Sequence, residues 1–208
     1  MESPFCDPAL TLIETFAWDG AQFVRLARHR ARMAASAAAL GFGFTAAGFD
    51  AALPAAPGPS PLRLRLTLDR AGRFAQTAEP LARMPVEWRV DLADGRMTAE
   101  DPRLAHKTSD RATYDQTRAT LPQGVDEILF LNQRDELTEG AITTLFFDLG
   151  QGLATPPLTC GCLPGCLRAE LLESGLAHEA VLTHRDLPRA RLWVGNSLRG
   201  LIAARLVR

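Results

Sequence analysis

The 208-residue chain is 47% hydrophobic and 23% charged, the balance of a soluble globular protein with room for one large domain or two small ones. Its formal net charge of -1 gives no footprint for nucleic acid or an anionic membrane. No apolar run approaches the roughly 20 residues of a membrane helix. The opening MESPFCDPAL has no basic head or long apolar segment, so a cytoplasmic protein without a signal peptide is expected.

Along the chain, LTLIETFAW, the turn Asp19-Gly20 and AQFVRL read as a β-hairpin. ARHRARMAASAAALG reads as a helix that stops at Gly41, with Leu26, Met33, Ala37 and Leu40 as its core stripe and His29, Arg32 and Ser36 on another face. A Pro-rich loop, AALPAAPGPSP, precedes a second hairpin in LRLRLTLDRAGRFAQT. There Leu62, Leu64, Leu66 and Leu68 point one way and Arg63, Arg65 and Thr67 the other. AEPLARMP is a linker, after which the pattern changes. VEWRVDLA reads as a strand and SDRATYDQTRATL as a helix with a Ser or Asp cap; three strands follow from Asp126 to Pro156. LPGCLRAELLESG reads as a helix, HEAVLT and RLWVGN as strands, and SLRGLIAARLV as a closing helix. Strands dominate both halves with helices mixed in, which predicts an α+β fold of two lobes, residues 1–82 and 83–208, with Lys107 in the second.

Lys107, in LAHKTSDRATYD, is the only lysine beside 22 arginines. Guanidinium stays charged, whereas an ε-amine can lose its proton and attack a carbonyl. Two helix starts, LPGCLR and GNSLRG, offer backbone amides to an anion, the second with the Ser197 hydroxyl, and Arg32 is a candidate cationic partner. Glu139, in TEG, is a carboxylate suited to a protonated ring nitrogen, and Arg63 and Arg65 can grip carboxylates. Taken singly, each has a bland reading as a solvated face or an ordinary turn. Taken together, an amine, a phosphate cradle, a carboxylate and carboxylate-binding arginines describe pyridoxal phosphate. Cys160, Cys162 and Cys166 lack the paired spacing of a zinc ribbon, so no metal is expected. His29 and His106 show no pattern of a catalytic triad.

Six ordered blocks carry a family resemblance: IETFAWDG, RHRARMAASAAALGF, HKTSDR, DEILFLNQRDELTEGAITTLFF, LATPPLTCGCLPGCLR and NSLRG. The sequence resembles the class IV aminotransferases, the fold-type IV pyridoxal-phosphate enzymes. The resemblance implies a small N-terminal α/β lobe, a larger C-terminal lobe with a barrel-like sheet, and a homodimer. It makes Lys107 the Schiff-base lysine, Arg32 a phosphate ligand, and Glu139 the partner of the pyridine nitrogen. The amides of Cys166 and Leu167 and the Ser197 hydroxyl would complete the phosphate cradle, and Arg63 would bind a substrate carboxylate. HKT, the arginine at 111 and NSLRG are similar to the subgroup that cleaves aminodeoxychorismate; the alternatives are a branched-chain or D-amino acid transaminase, or an inactive binding homologue. Two positions depart from the family pattern: Thr144 stands for its asparagine, and Ala112 for the tyrosine of some transaminases, with Tyr114 two residues on.

Overall fold

The computed structural model describes residues 4–55, 57–83 and 85–207; residues 1–3, Ala56 in the Pro-rich loop, Met84 in the linker and Arg208 lie outside the described residues. The chain divides into two compact units: Met1–Arg83 with His106–Asp110, and Met84–Ala105 with Arg111–Arg208. The segment bearing Lys107 therefore packs with the first unit, whereas the sequence reading put it in the second. Backbone pairing is the reason. The amide of Ile13 donates to the Lys107 carbonyl at 2.8 Å and that of Ser109 to the Thr11 carbonyl at 2.9 Å, around a bridge between Leu12 and Thr108.

The first unit is a three-stranded antiparallel sheet in the order β1 (Leu12–Trp18), β2 (Leu62–Leu68), β3 (Phe74–Pro80), with α1 (Leu26–Leu40) and α2 (Ala46–Ala51). Strict alternation makes β2 a strand with one apolar face, and Leu64, Leu66 and Leu68 are fully buried on it. Leu12 and Phe16 of β1 and Met33 and Ala37 of α1 complete that core. Gly41 ends α1 with a positive φ of 72°, as a glycine there allows. The first expected hairpin is reduced to one bridge, with the Asp19 amide donating to the Gln22 carbonyl at 3.1 Å and the Val24 amide to the Ala17 carbonyl at 2.8 Å. Asp19 makes the turn, accepting from the amides of Ala21 and Gln22, but Phe23 contributes only an isolated bridge to Trp18. Arg25 then takes a left-handed φ of 55° and α1 begins, so β1 finds its partner in β2 instead.

The second unit contains β4 (Glu87–Met97), α3 (Ala112–Ala119), β5 (Glu127–Asn132), β6 (Leu137–Gly140), β7 (Thr144–Asp148), β8 (Ala154–Thr155), α4 (Cys166–Glu173), β9 (His178–Glu179), β10 (Arg191–Asn196) and β11 (Gly200–Leu206). Its strands run β10-β11-β4-β5-β6-β7, and β7 also pairs with β10, which closes a six-stranded barrel; β8 and β9 extend the sheet. Val90, Leu129, Leu131, Leu137, Leu145, Phe147, Val194 and Ile202 fill it.

The expected closing helix is strand β11, antiparallel to β10 and parallel to β4. Its Leu, Ala and Arg residues favour helix locally, but barrel closure satisfies both edges of the strand and buries Ile202, and tertiary pairing overrides propensity. The residues before it form a hairpin turn, with Asn196 Oδ1 accepting from the amides of Leu198 and Arg199. The expected Ser or Asp cap of α3 is absent: the N-cap is Arg111, and the Ser109 hydroxyl instead accepts from the Thr11 amide. HEAVLT keeps only the two-residue strand β9. Among the described residues no helix is long and apolar enough to cross a membrane.

Candidate active site

In the first unit the register sorts the candidate residues onto two faces of one sheet. Glu14 lies opposite Leu66, between Leu12 and Phe16, so this carboxylate belongs to the apolar face that α1 covers. It is 1% exposed, and a buried carboxylate needs partners. Arg32 supplies Nε to Oε1 at 2.8 Å and Nη2 to Oε2 at 2.5 Å; His29 Nδ1 lies 2.5 Å from Oε2. Burial pushes the Glu14 carboxyl up, but the Arg32 charge and the bonds from His29 and Arg32 outweigh it and bring it down to about 2. Burial pushes His29 below its ordinary value against the pull of Glu14, and the charges of Arg32 and Lys107 act in the same direction as burial. Arg32 thus sits on a buried helix face rather than a solvated one, and Ser36, a turn further along, meets His106 Nδ1 at 3.0 Å.

Arg63 and Arg65 occupy the other face, opposite Ala17 and Thr15. Lys107 lies at the edge of β1, where its carbonyl accepts from the Ile13 amide at 2.8 Å beside the bridge between Leu12 and Thr108. Arg63 Nη1 meets Glu79 Oε2 at 2.7 Å across to β3, an exposed pair of small energetic weight.

In the second unit the candidates gather on the outer face of the barrel. Between Leu129 and Leu131 the pairing of β5 with β6 shifts register, so Leu137 faces the core while Glu139 turns outward beside Phe130. Glu139 is 7% exposed; its Oε1 accepts from the Tyr114 hydroxyl at 2.6 Å and its Oε2 from the Leu163 amide at 3.0 Å. Thr144 pairs with Glu139 in register and with Gly195 of β10. A Cβ on Gly165, the N-cap of α4, would meet Thr144 Oγ1 at 2.7 Å, and one on Gly195 would meet Leu167 Cδ2 at 2.9 Å. Two glycines therefore let the start of α4, with the amides of Cys166 and Leu167, close on β7 and β10. Ser197 follows in the turn after β10 and is 6% exposed.

Glu127, at the start of β5, anchors the neighbouring turn. Its carboxylate accepts from the amides of Ala141 at 3.2 Å and Ile142 at 3.1 Å and from the Thr143 hydroxyl at 2.9 Å. Burial pushes its carboxyl up. The cysteines are free thiols; burial pushes those of Cys160 and Cys162 up to about 12, which suits small apolar fillers.

These donors match a phosphorylated pyridine aldehyde. Amides at a helix start beside two hydroxyl residues suit a phosphate, and a carboxylate with roughly four acceptor positions can take a ring N–H as a third donor. Sequence reasoning missed the trio of Glu14, His29 and Arg32. Its signal was a carboxylate at the apolar parity of LIETFAW, with His and Arg three apart on the helix that covers that face.

The chain belongs to the amino-transferase class IV family, whose model matches residues 11–207. Members are pyridoxal-phosphate-dependent lyases and aminotransferases, and the chain is an enzyme of this kind. A Schizosaccharomyces pombe protein described as "Putative aminodeoxychorismate lyase" is 30% identical over 177 residues, 81% of this chain and 75% of its own. A Mesorhizobium loti crystal structure described as "Putative amino-acid aminotransferase" is 44% identical with a TM-score of 0.87, covering 95% of this chain and 100% of its own. The 4-amino-4-deoxychorismate lyase of Pseudomonas aeruginosa is 25% identical with a TM-score of 0.80, covering 94% of this chain and 82% of its own.

Proposed function

We propose that the chain is a pyridoxal-phosphate-dependent lyase that splits aminodeoxychorismate into 4-aminobenzoate and pyruvate. The observation that carries the reading is the sole lysine, fixed by a backbone ladder beside β1 in the unit that also holds Arg32, Arg63 and Arg65. Bound pyridoxal phosphate supplies a carbonyl that captures the substrate amine and a ring that draws electrons from the adjoining carbon. Lys107 would hold the cofactor and, as a free amine, would take the proton at the amine-bearing carbon while the substrate's ring C–O bond to the enolpyruvyl group breaks and that ring becomes aromatic. The protonated Lys107 would then give that proton to the methylene carbon of the released enolpyruvate, which becomes pyruvate. Glu139 would accept from the cofactor's ring nitrogen. The Cys166 and Leu167 amides, the Ser197 hydroxyl and Arg32 would hold the phosphate, and Glu14 fixes the direction of the Arg32 guanidinium. Arg63 and Arg65 take the two substrate carboxylates.

The names of the Schizosaccharomyces pombe and Pseudomonas aeruginosa relatives support this reaction. The Mesorhizobium loti structure favours a second reading, an amino acid transaminase in which Lys107 moves the same proton to the cofactor carbon. Incubation with enzymatically made aminodeoxychorismate decides between them. Release of 4-aminobenzoate is expected; none, together with conversion of the cofactor to its amine form by leucine or D-alanine, would establish the transaminase. The proposal includes the homodimer, which sedimentation of the purified protein tests.

A further inference from the structure

We propose that Tyr114 is a positioning residue for Glu139: its hydroxyl and the Leu163 amide hold the carboxylate from both oxygens, so that Glu139 meets the cofactor's ring nitrogen as a fixed anion. The inference rests on the reading that Glu139 serves that nitrogen. It assigns a role to the one tyrosine of the chain, which stands two residues beyond the family position now occupied by Ala112.

The geometry is specific. Tyr114 lies on the first turn of α3, with its ring edge-on to Phe130 at 5.3 Å between centroids and the Arg111 guanidinium 5.2 Å from the ring centre. Its hydroxyl reaches Glu139 Oε1 at 2.6 Å, the length of a strong bond from a neutral hydroxyl to an anion. Arg111 is itself anchored, donating Nη2 to the Ala141 carbonyl at 2.8 Å in the turn after Glu139. Donation from tyrosine favours the ionised carboxylate over its protonated form. An ionised Glu139 keeps a ring nitrogen protonated, which is the condition for the ring to accept electrons.

The charged and titratable groups facing the Tyr114 hydroxyl are Glu139 from β6, Arg111 at the start of α3 and Cys162 before α4. Burial raises the hydroxyl's pKa most, the Glu139 charge and hydrogen bond raise it further, Cys162 adds to the rise, and Arg111 opposes it. With one tyrosine in the chain, tyrosinate absorbance reports this group alone, with or without cofactor.

The experiment compares wild type, Tyr114→Phe and Glu139→Gln, with circular dichroism following the fold at each pH. In the cofactor-free protein the tyrosine should ionise only above its ordinary pH, and Glu139→Gln should move that ionisation down. In the cofactor-loaded protein, Tyr114→Phe should move the pH at which the bound cofactor's visible absorption changes. It should also lower kcat about tenfold with KM nearly unchanged, the loss expected for one hydrogen bond to a charged group. Ordinary tyrosine ionisation in the folded wild type, or no response to Glu139→Gln, overturns the proposal. So does a Tyr114→Phe enzyme with wild-type visible titration and kcat, because the bond would then be structural only. If wild type binds no pyridoxal phosphate, the proposed function fails and the role of Glu139 with it; a tyrosine still coupled to Glu139 marks that failure apart from failure of the contact.

Discussion

Glu14 and Arg32 share a two-point hydrogen bond inside the apolar face of a sheet, and His29 leans on the same carboxylate. The Glu14 carboxyl is brought from the ordinary 4.5 to about 2 although burial alone pushes it up, because Arg32 and His29 outweigh burial. A carboxylate lowered in the fold stabilises above its unfolded pKa, and that contribution disappears as pH falls through the folded value. The difference corresponds to roughly 3 kcal/mol. Glu14→Gln should therefore lower the unfolding free energy at neutral pH by about that amount, and the gap to wild type should close between about pH 4.5 and about 2. Denaturant melts across that range provide the check; a gap independent of pH would show that packing, and not charge, sets the effect.

Borohydride reduction of the cofactor-loaded protein should fix the cofactor covalently. With one lysine in the chain, the modified peptide must contain Lys107. Lys107→Arg keeps the charge and removes the primary amine, so it should lose both attachment and turnover. Mass spectrometry of the digest and a product assay read these directly, and turnover in that variant would make the lysine structural.

Gly165 is held to glycine by contact rather than by backbone angle, since its φ of -69° suits any residue. Gly165→Ala puts a methyl 2.7 Å from Thr144 Oγ1 and should destabilise by roughly 1–3 kcal/mol, the range for overpacking. Thr144→Ala should relieve part of that loss, so the double variant should be more stable than the sum of the two single changes. Strict additivity would mean that α4 starts elsewhere.

Arg63 and Arg65 lie on one face of β2 about two residues apart, roughly 6.5–7 Å. Aminodeoxychorismate has two carboxylates, so Arg63→Leu and Arg65→Leu should each raise KM for the lyase reaction, Arg63→Leu more strongly. The pair of Arg63 with Glu79 is a surface one, so neither change should lower the unfolding free energy by more than about 1 kcal/mol. Unchanged KM in both variants would leave the face to solvent.

What the sequence made legible were features set by neighbours in the chain. The alternation of Leu62 to Leu68 gave β2, and Gly41 marked the end of α1, because period and left-handed backbone are local properties. The fate of β1 was hidden: the Asp19-Gly20 turn is present, but Leu12 to Trp18 pair with residues some fifty positions on. The closing strand was hidden for the same reason, as Gly200 to Leu206 take their form from β10 and β4. At the candidate site, residue types alone singled out Lys107 and Glu139 as candidates. The sequence could not announce that Glu139 faces outward, because a register shift against Leu129 and Leu131 decides it.

The excursion of His106–Asp110 into the first unit has a consequence for dissecting the molecule. The peptide backbone passes between the two units three times, after Arg83, after Ala105 and after Asp110. A fragment ending at Arg83 would lack the stretch that pairs with Leu12 and carries Lys107. It would expose one edge of β1, an invitation to self-association. A single proteolytic nick between Leu81 and Val86, by contrast, should leave two pieces that copurify, since the downstream piece still contributes a ladder to the upstream core. Separately expressed halves would be expected to complement one another rather than to behave as independent domains.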